Sequence, residues 1–164
     1  MHFSVEHDLA AAPPAVAALL CDPEFHVRHQ LPDLAVPEVV ESSTNGDERL
    51  LRLRYEYIGS LDPIAKRVIG GKKLTWLQDV KLDASTGRGT ITFSAEADPG
   101  RLNGSADITV DAAGDDTSRL SIAGDLHVKV PLVGGRAEKA IVPGLVRRFE
   151  VMTDALADEL RSQP

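Results

Sequence analysis

The chain has 164 residues, of which 43% are apolar and 26% are charged, which is the size and composition of one ordinary globular domain. Its 18 basic and 25 acidic residues give a formal net charge of −7, and this excess of acid argues against a nucleic-acid partner, which requires a basic patch. A single cysteine excludes an intramolecular disulfide, and the lack of a secretory signal or a long apolar run predicts a cytoplasmic protein without membrane insertion.

The beginning of the chain predicts one strand and two short helices. Residues 2–9 alternate between apolar and polar side chains, which is the period of a strand with one buried face. Pro13-Pro14 opens an apolar helical run, because proline in the first helical turn costs no hydrogen bond. Cys21 ends that run and is expected to be a small buried hydrophobe. A second short helix begins after Asp22, whose carboxylate can cap it, and Pro32 ends it.

From about residue 36 the apolar pattern changes to a period of two and predicts six strands. Asn45-Gly46-Asp47 is a hairpin signal, because Asn-Gly accepts a positive φ, and similar turn compositions separate the later strands. Short turns favour antiparallel neighbours, since parallel pairs need long crossovers. Residues 58–72 predict a loop with one short helical turn. The predicted strands are 36–43, 48–58, 73–82, 88–97, 102–111 and 118–130.

The C-terminal segment predicts one amphipathic helix of about 27 residues, since apolar side chains recur there at intervals of three and four. Pro143-Gly144 lies inside this pattern, and because proline removes a main-chain donor, a kink or short break is expected there. Every strand has one apolar face that must be covered, and this helix is long enough to cover it. The prediction is therefore an α+β fold, in which residues 1–164 form a single domain with a curled antiparallel sheet of about seven strands around the helix.

This order of elements resembles the helix-grip fold of the START and birch-pollen-allergen superfamily, over the whole chain. Four segments are also similar to domain-of-unknown-function family 2505, which is typical of high-GC actinobacteria and has no established biochemical role. The resemblance implies a START-like domain, and members of that superfamily commonly keep a cavity for apolar ligands between helix and sheet. The similar segments are FSVEH at 3–7, PPAVAALLCDPEF at 13–25, Val68–Lys72 and, as the most specific, VKVPLVGGRAEK at 128–139.

The histidines and glycine-rich segments do not complete a catalytic or metal site. His7 shares the inward phase of the first strand and could be a general base, but a core histidine is the more frequent role. His26 and His29 are spaced i, i+3 without a carboxylate or cysteine to complete a metal site, so they are expected to be exposed or half-buried. Gly134-Gly135 could offer helix amides to an anion, although a turn from strand to helix needs the same glycines. We therefore predict no catalytic residue, metal or cofactor, and favour a protein that is not an enzyme.

The aromatic residues are the basis for predicting a pocket. In the third, fourth and fifth strands they share the phase that faces the helix, and buried tyrosine and tryptophan need partners for their polar atoms. They therefore form either an ordinary core or the wall of a wet pocket. Arg148, at the edge of the helical apolar stripe, either rotates away at a kink, extends to solvent, pairs with an inward acid or meets a ligand's acidic group. The predicted ligand-binding residues are Tyr55, Tyr57, Trp76, Gln78, Phe93, Arg148, Phe149 and Met152.

The function that these patterns favour is the binding of a small apolar or amphipathic molecule, such as a lipid, between the sheet and the C-terminal helix. A typical ligand cavity would measure about 300–1,000 Å³. Two alternatives stay open: a polyketide cyclase or dehydratase type of enzyme in the same cavity, and a protein-interaction module with a filled core. Small inward side chains favour a cavity, and these are Ala95, Ala97, Gly104, Ala106 and Gly124.

Overall fold

A computed structural model describes residues 1–163 of the chain, so the predicted domain of residues 1–164 exceeds the described range by Pro164. Seven strands and four helices form within residues 1–163. In chain order they are β1 (His2–Leu9), α1 (Pro13–Leu20), α2 (Pro23–Arg28), β2 (Glu38–Asn45), β3 (Glu48–Glu56), α3 (Pro63–Ile69), β4 (Thr75–Asp83), β5 (Arg88–Ala95), β6 (Leu102–Gly114), β7 (Thr117–Val128) and α4 (Gly134–Ser162).

The strands form one antiparallel sheet in the order β1-β7-β6-β5-β4-β3-β2. From β2 to β7 each strand pairs with the next one in sequence, as the short turns predict, while β1 adds to the outer edge of β7. The register places Trp76 of β4 opposite Tyr55 of β3 and Ala95 of β5. This arrangement confirms the predicted sheet of seven strands, and it groups aromatic side chains on one face.

The long helix α4 packs against β1, β7, α1 and α3, and this confirms the predicted helix-grip arrangement. Of the kink or short break expected at Pro143-Gly144, the short break was wrong, because α4 runs continuously from Gly134 to Ser162 with Pro143 inside it. An interior proline costs roughly 3 kcal/mol, and burial of the helix's apolar face offsets this cost. No helix within residues 1–163 combines the length and the apolar character needed to cross a membrane.

A glycine fixes the point where β7 turns into α4. A Cβ atom at Gly134 would lie 2.4 Å from the main-chain oxygen of Val128, so a side chain does not fit there. The Gly134 amide also donates to the carbonyl of Val130 at 2.9 Å. This close approach supports the interpretation of Gly134 as a turn residue.

The glycines of β6 and β7 do not create the open space that the sequence suggested. A Cβ atom at Gly104 would lie 2.3 Å from the Phe93 ring, and one at Gly124 would lie 2.0 Å from the main-chain oxygen of Ser105. Neighbouring groups therefore already fill the room that these two glycines leave. Ala97, just after the end of β5, is exposed rather than buried.

Candidate functional site

A pocket of about 270 Å³ lies between α3, the inner face of the sheet and the first half of α4. It is slightly smaller than the roughly 300–1,000 Å³ typical of ligand sites. Most of its wall is apolar, and the exceptions are hydroxyls, Asp62 and Arg148. The lining residues are Tyr57, Ser60, Leu61, Asp62, Ala65, Val68, Ile69, Leu74, Trp76, Phe93, Ser94, Ala95, Leu102, Leu126, Ala140, Ile141, Gly144, Leu145 and Arg148.

Helix α3 forms one wall of the pocket, where the sequence analysis expected only a loop with a single helical turn. The Asp62 carboxylate caps the helix by accepting a hydrogen bond from the Ala65 amide at 2.7 Å, and Pro63 occupies the first turn. Gly70 ends the helix with a φ of 65°, a left-handed conformation that glycine adopts without strain. These are ordinary start and stop signals, so the helix was detectable in the sequence.

Four of the eight residues predicted to bind a ligand line this pocket: Tyr57, Trp76, Phe93 and Arg148. The Trp76 ring is half-buried and stacks on Tyr55, with 5.5 Å between the ring centroids and 22° between the planes. Of the five small residues expected to leave room, only Ala95 belongs to the lining. Contact of these residues with a ligand stays a prediction, but the structure does bring them together around one space.

The other four, Tyr55, Gln78, Phe149 and Met152, are buried outside the pocket lining. Phe149 stacks on Phe3 of β1, with ring centroids 5.9 Å apart. Burial raises the pKa of the Tyr55 phenol well above its ordinary value. The apolar phase of the strands and of the helix therefore predicted that these side chains are buried, but it did not show that they lie outside the pocket.

Arg148 reaches the pocket from α4 and lies over the Tyr57 ring, with 5.3 Å between the guanidinium carbon and the ring centroid. Its Nε donates a hydrogen bond to the carbonyl of Pro32 at 3.3 Å. Burial lowers the pKa of Arg148, while the Tyr57 hydroxyl and the Asp33 carboxylate oppose this change. Of the four expected arrangements, rotation away from the interior is wrong, because Arg148 lines the pocket.

The histidines lie outside the pocket lining. His7 has 30% of its side chain exposed, and its Nδ1 lies 3.9 Å from a carboxylate oxygen of Asp154 on α4. His26 is buried, contrary to the expectation of an exposed or half-buried ring, because its Nε2 is satisfied by the Leu20 carbonyl at 2.7 Å. His29 instead faces Glu159 at 2.8 Å. Within residues 1–163 no group of three or more potential ligands is placed to hold a metal ion.

Cys21 is buried, as expected for a small hydrophobe, and burial raises its pKa to about 11. We expect the folded protein at pH 8 to react with Ellman's reagent about a hundredfold more slowly than the guanidinium-unfolded chain, because a free thiol has a pKa of about 8.5 and the thiolate is the reactive form. Absorbance at 412 nm measures both rates. Equal rates in the folded and unfolded protein would show that Cys21 is accessible and ionised normally.

A second cavity of about 230 Å³ adjoins the first beneath α3. The two share five lining residues, namely Val68, Ile69, Leu74, Ala95 and Leu102. The side chains of Lys72, Lys73 and Arg101 also line this second cavity. Because the two cavities meet along α3, a ligand longer than the first pocket could extend into the second cavity.

A sequence model for a family described as "Protein of unknown function (DUF2505)" matches residues 4–159, which confirms the resemblance found in the sequence. No curated protein matches this sequence.

Three solved structures illustrate the fold similarity. Zhui aromatase/cyclase from Streptomyces sp. R1128 has a TM-score of 0.67 and 15% identity, covering 98% of this chain and 93% of that one. A START superfamily protein from Mycobacterium smegmatis has a TM-score of 0.60 and 16% identity, covering 98% and 97%. Norcoclaurine synthase from Thalictrum flavum has a TM-score of 0.60 and 16% identity, covering 99% and 87%. These similarities confirm the START-like fold that the element order predicted.

Proposed function

The chain belongs to the family of proteins of unknown function DUF2505, and on that premise we propose that it binds a small amphipathic molecule in the pocket between α3, α4 and the sheet. The observation that carries this proposal is the pocket of about 270 Å³, whose wall is mainly apolar and ends at Arg148. An empty apolar cavity reduces stability, whereas a ligand that binds only the folded chain increases it.

The pocket supports binding better than it supports catalysis or protein docking. A cyclase or dehydratase needs an acid and a base within reach of the substrate. Within residues 1–163 the ionisable side chains in the lining are Tyr57, Asp62 and Arg148, and the Asp62 carboxylate is engaged as the cap of α3. A protein-interaction module with a filled core would leave no such space. The aromatase/cyclase and synthase of similar structure share the fold at 15% and 16% identity, and fold does not determine activity.

Binding of a neutral apolar dye tests the proposal. We expect N-phenyl-1-naphthylamine to bind with increased emission, and Trp76→Ala to weaken its binding by roughly 1–3 kcal/mol, the loss expected for a buried aromatic anchor. The reason is that Trp76 lines the pocket and its indole ring is held in place by stacking on Tyr55. A titration followed by dye fluorescence gives the affinity of each variant.

Leu132→Ala is the matched control, because Leu132 is an apolar side chain that is exposed and lies outside the pocket lining. It should bind the dye as the wild type does. Equal affinity of Trp76→Ala and wild type, with both folded by circular dichroism, would contradict a site at this pocket.

A further inference from the structure

Arg148 is a half-buried cation with one acidic side chain, Asp33, nearby but not in ion-pair contact. None of the ion pairs formed within residues 1–163 includes it. By contrast Arg52 on the outer face of the sheet is paired in bidentate fashion with Asp79, with both nitrogen–oxygen distances at 2.7 Å. A charge taken partly out of water is costly unless it is compensated. Arg148, the one guanidinium in the pocket wall, is therefore a charge that no ion pair within residues 1–163 compensates.

The surroundings orient the Arg148 guanidinium without pairing it directly with a carboxylate. The Pro32 carbonyl accepts from Nε at 3.3 Å, and the Tyr57 ring covers one face of the group. Gly144 lies one helical turn earlier, and a Cβ atom there would lie 3.0 Å from a terminal nitrogen of Arg148. Glycine therefore lets the guanidinium lie close against the helix, at a helix-interior position where alanine would be favoured by about 1 kcal/mol.

We infer that the ligand is an amphiphile with a single carboxylate, which pairs with Arg148 while its apolar part lies against Trp76, Phe93 and Leu145. This inference rests on the proposed function. The two terminal nitrogens form a planar pair of donors that matches the two oxygens of a carboxylate, while the Pro32 carbonyl holds Nε and the Tyr57 hydroxyl also lies at the guanidinium. One guanidinium balances one negative charge, whereas a phosphate monoester would bring a second charge into a site already close to Asp33.

The pocket volume sets the size of the apolar part. About 270 Å³ holds roughly nine non-hydrogen atoms at about 30 Å³ each. A medium-chain acid is of this size, and a longer chain can extend into the adjoining cavity beneath α3. Octanoate is therefore a suitable probe, with octan-1-ol as its uncharged counterpart and octyl phosphate as its doubly charged one.

Isothermal titration of the purified protein with the three probes at pH 7.5 tests the inference. We expect octanoate to bind at least about tenfold more tightly than octan-1-ol or octyl phosphate. A tenfold difference in affinity corresponds to about 1.4 kcal/mol, which is the size expected for one charge-assisted pair. Arg148→Met keeps an unbranched apolar stem at this position but removes the charged guanidinium. In that variant the ratio of octanoate to octan-1-ol affinity should fall to about one.

Two matched controls separate charge recognition from general effects. Arg147→Met removes the same charge from the next residue, which is exposed and outside the lining, so the octanoate preference should persist. Gly144→Ala should lower the octanoate preference by displacing the guanidinium. Pro143→Ala changes the neighbouring helix position, which does not line the pocket, and should leave the preference as it is.

Each outcome has a distinct meaning. If neither octanoate nor octan-1-ol binds, the proposed function fails. If both bind equally to the wild type, the proposed function is supported, but the inference that the ligand carries a carboxylate is overturned. An octanoate preference that survives in Arg148→Met would assign charge selection to other cations near the pocket and would overturn the inference. Tighter binding of octyl phosphate than of octanoate would also overturn it, in favour of a phosphate head group.

Discussion

Replacing Ala65 with tryptophan should abolish ligand binding while the protein remains folded. Ala65 is half-buried in α3 and lines the pocket, so an indole at this position would occupy the space of the ligand. The capping hydrogen bond to Asp62 comes from the Ala65 main-chain amide and survives the substitution. We expect affinity for N-phenyl-1-naphthylamine and octanoate to fall by more than about a hundredfold, equivalent to about 2.7 kcal/mol.

Ala113→Trp is the control for the added ring, because Ala113 is exposed in β6 and does not line the pocket. It should bind both probes with wild-type affinity, and thermal unfolding should show that both variants are folded. Wild-type affinity in Ala65→Trp would place the ligand elsewhere on the molecule.

Gly124→Ala is expected to have the largest effect on stability among these substitutions. Gly124 lies in β7, opposite Phe3 of β1 and Ala106 of β6. An added Cβ atom would lie 2.0 Å from the main-chain oxygen of Ser105 and 2.4 Å from Cα of Ala106. These are main-chain atoms, so relief requires movement of a whole strand. Overpacking of this kind costs about 3 kcal/mol or more, which lowers Tm by at least roughly 6–12 °C in a domain of this size.

Gly135→Ala provides the comparison for this prediction. Gly135 lies in the first turn of α4, and an added Cβ atom would meet nothing within 4 Å. Its Tm should stay within a few degrees of the wild-type value or rise slightly, because alanine favours helix. A Tm for Gly124→Ala that matches the Gly135→Ala value would contradict the tight β6–β7 packing.

The sheet could be predicted in detail because its signals are local. Alternation selects the buried face of strands such as β3, in which Leu51 and Leu53 are fully buried, whereas β2 is exposed along its whole length. Turn residues such as Asn45-Gly46 set the hairpins, and short connections require antiparallel pairing. The amphipathic pattern of α4 likewise predicts its buried face. The first and last residues of the strands differ from expectation by up to three residues, as where β2 begins at Glu38 instead of residue 36, and α3 is longer than the single helical turn expected.

The pocket could not be located from the same patterns. The phase of a strand predicts which side chains point toward the interior, but not whether an inward side chain packs in the core or lines a pocket. Tyr55 and Tyr57 share one phase of the chain, yet Tyr55 packs in the core and Tyr57 lies just beyond β3, where the pocket opens. Whether an inward side chain lies in the core or at the pocket depends on where α3 and α4 lie against the sheet. These positions depend on tertiary contacts between segments that are distant in sequence.

The glycines also show that the sequence does not predict tertiary packing. Gly104 suggested room beside the helix, but the Phe93 ring fills that room from the neighbouring strand. Gly144 suggested a break in α4, but in the structure it accommodates the Arg148 guanidinium. The absence of a side chain is visible in the sequence, whereas the group that occupies the resulting space is determined by packing.

The indole N–H signal of Trp76 offers the most direct test that the pocket binds a small amphipathic acid. Trp76 is the only tryptophan in the chain and lines the pocket, so a ¹⁵N–¹H spectrum contains one indole cross-peak that reports on this site. On titration with octanoate we predict a saturable shift of this peak in the wild type, and no shift in Ala65→Trp at the resonance assigned to Trp76. A Trp76 peak that does not move in the wild type, up to the solubility limit of octanoate, would contradict the account.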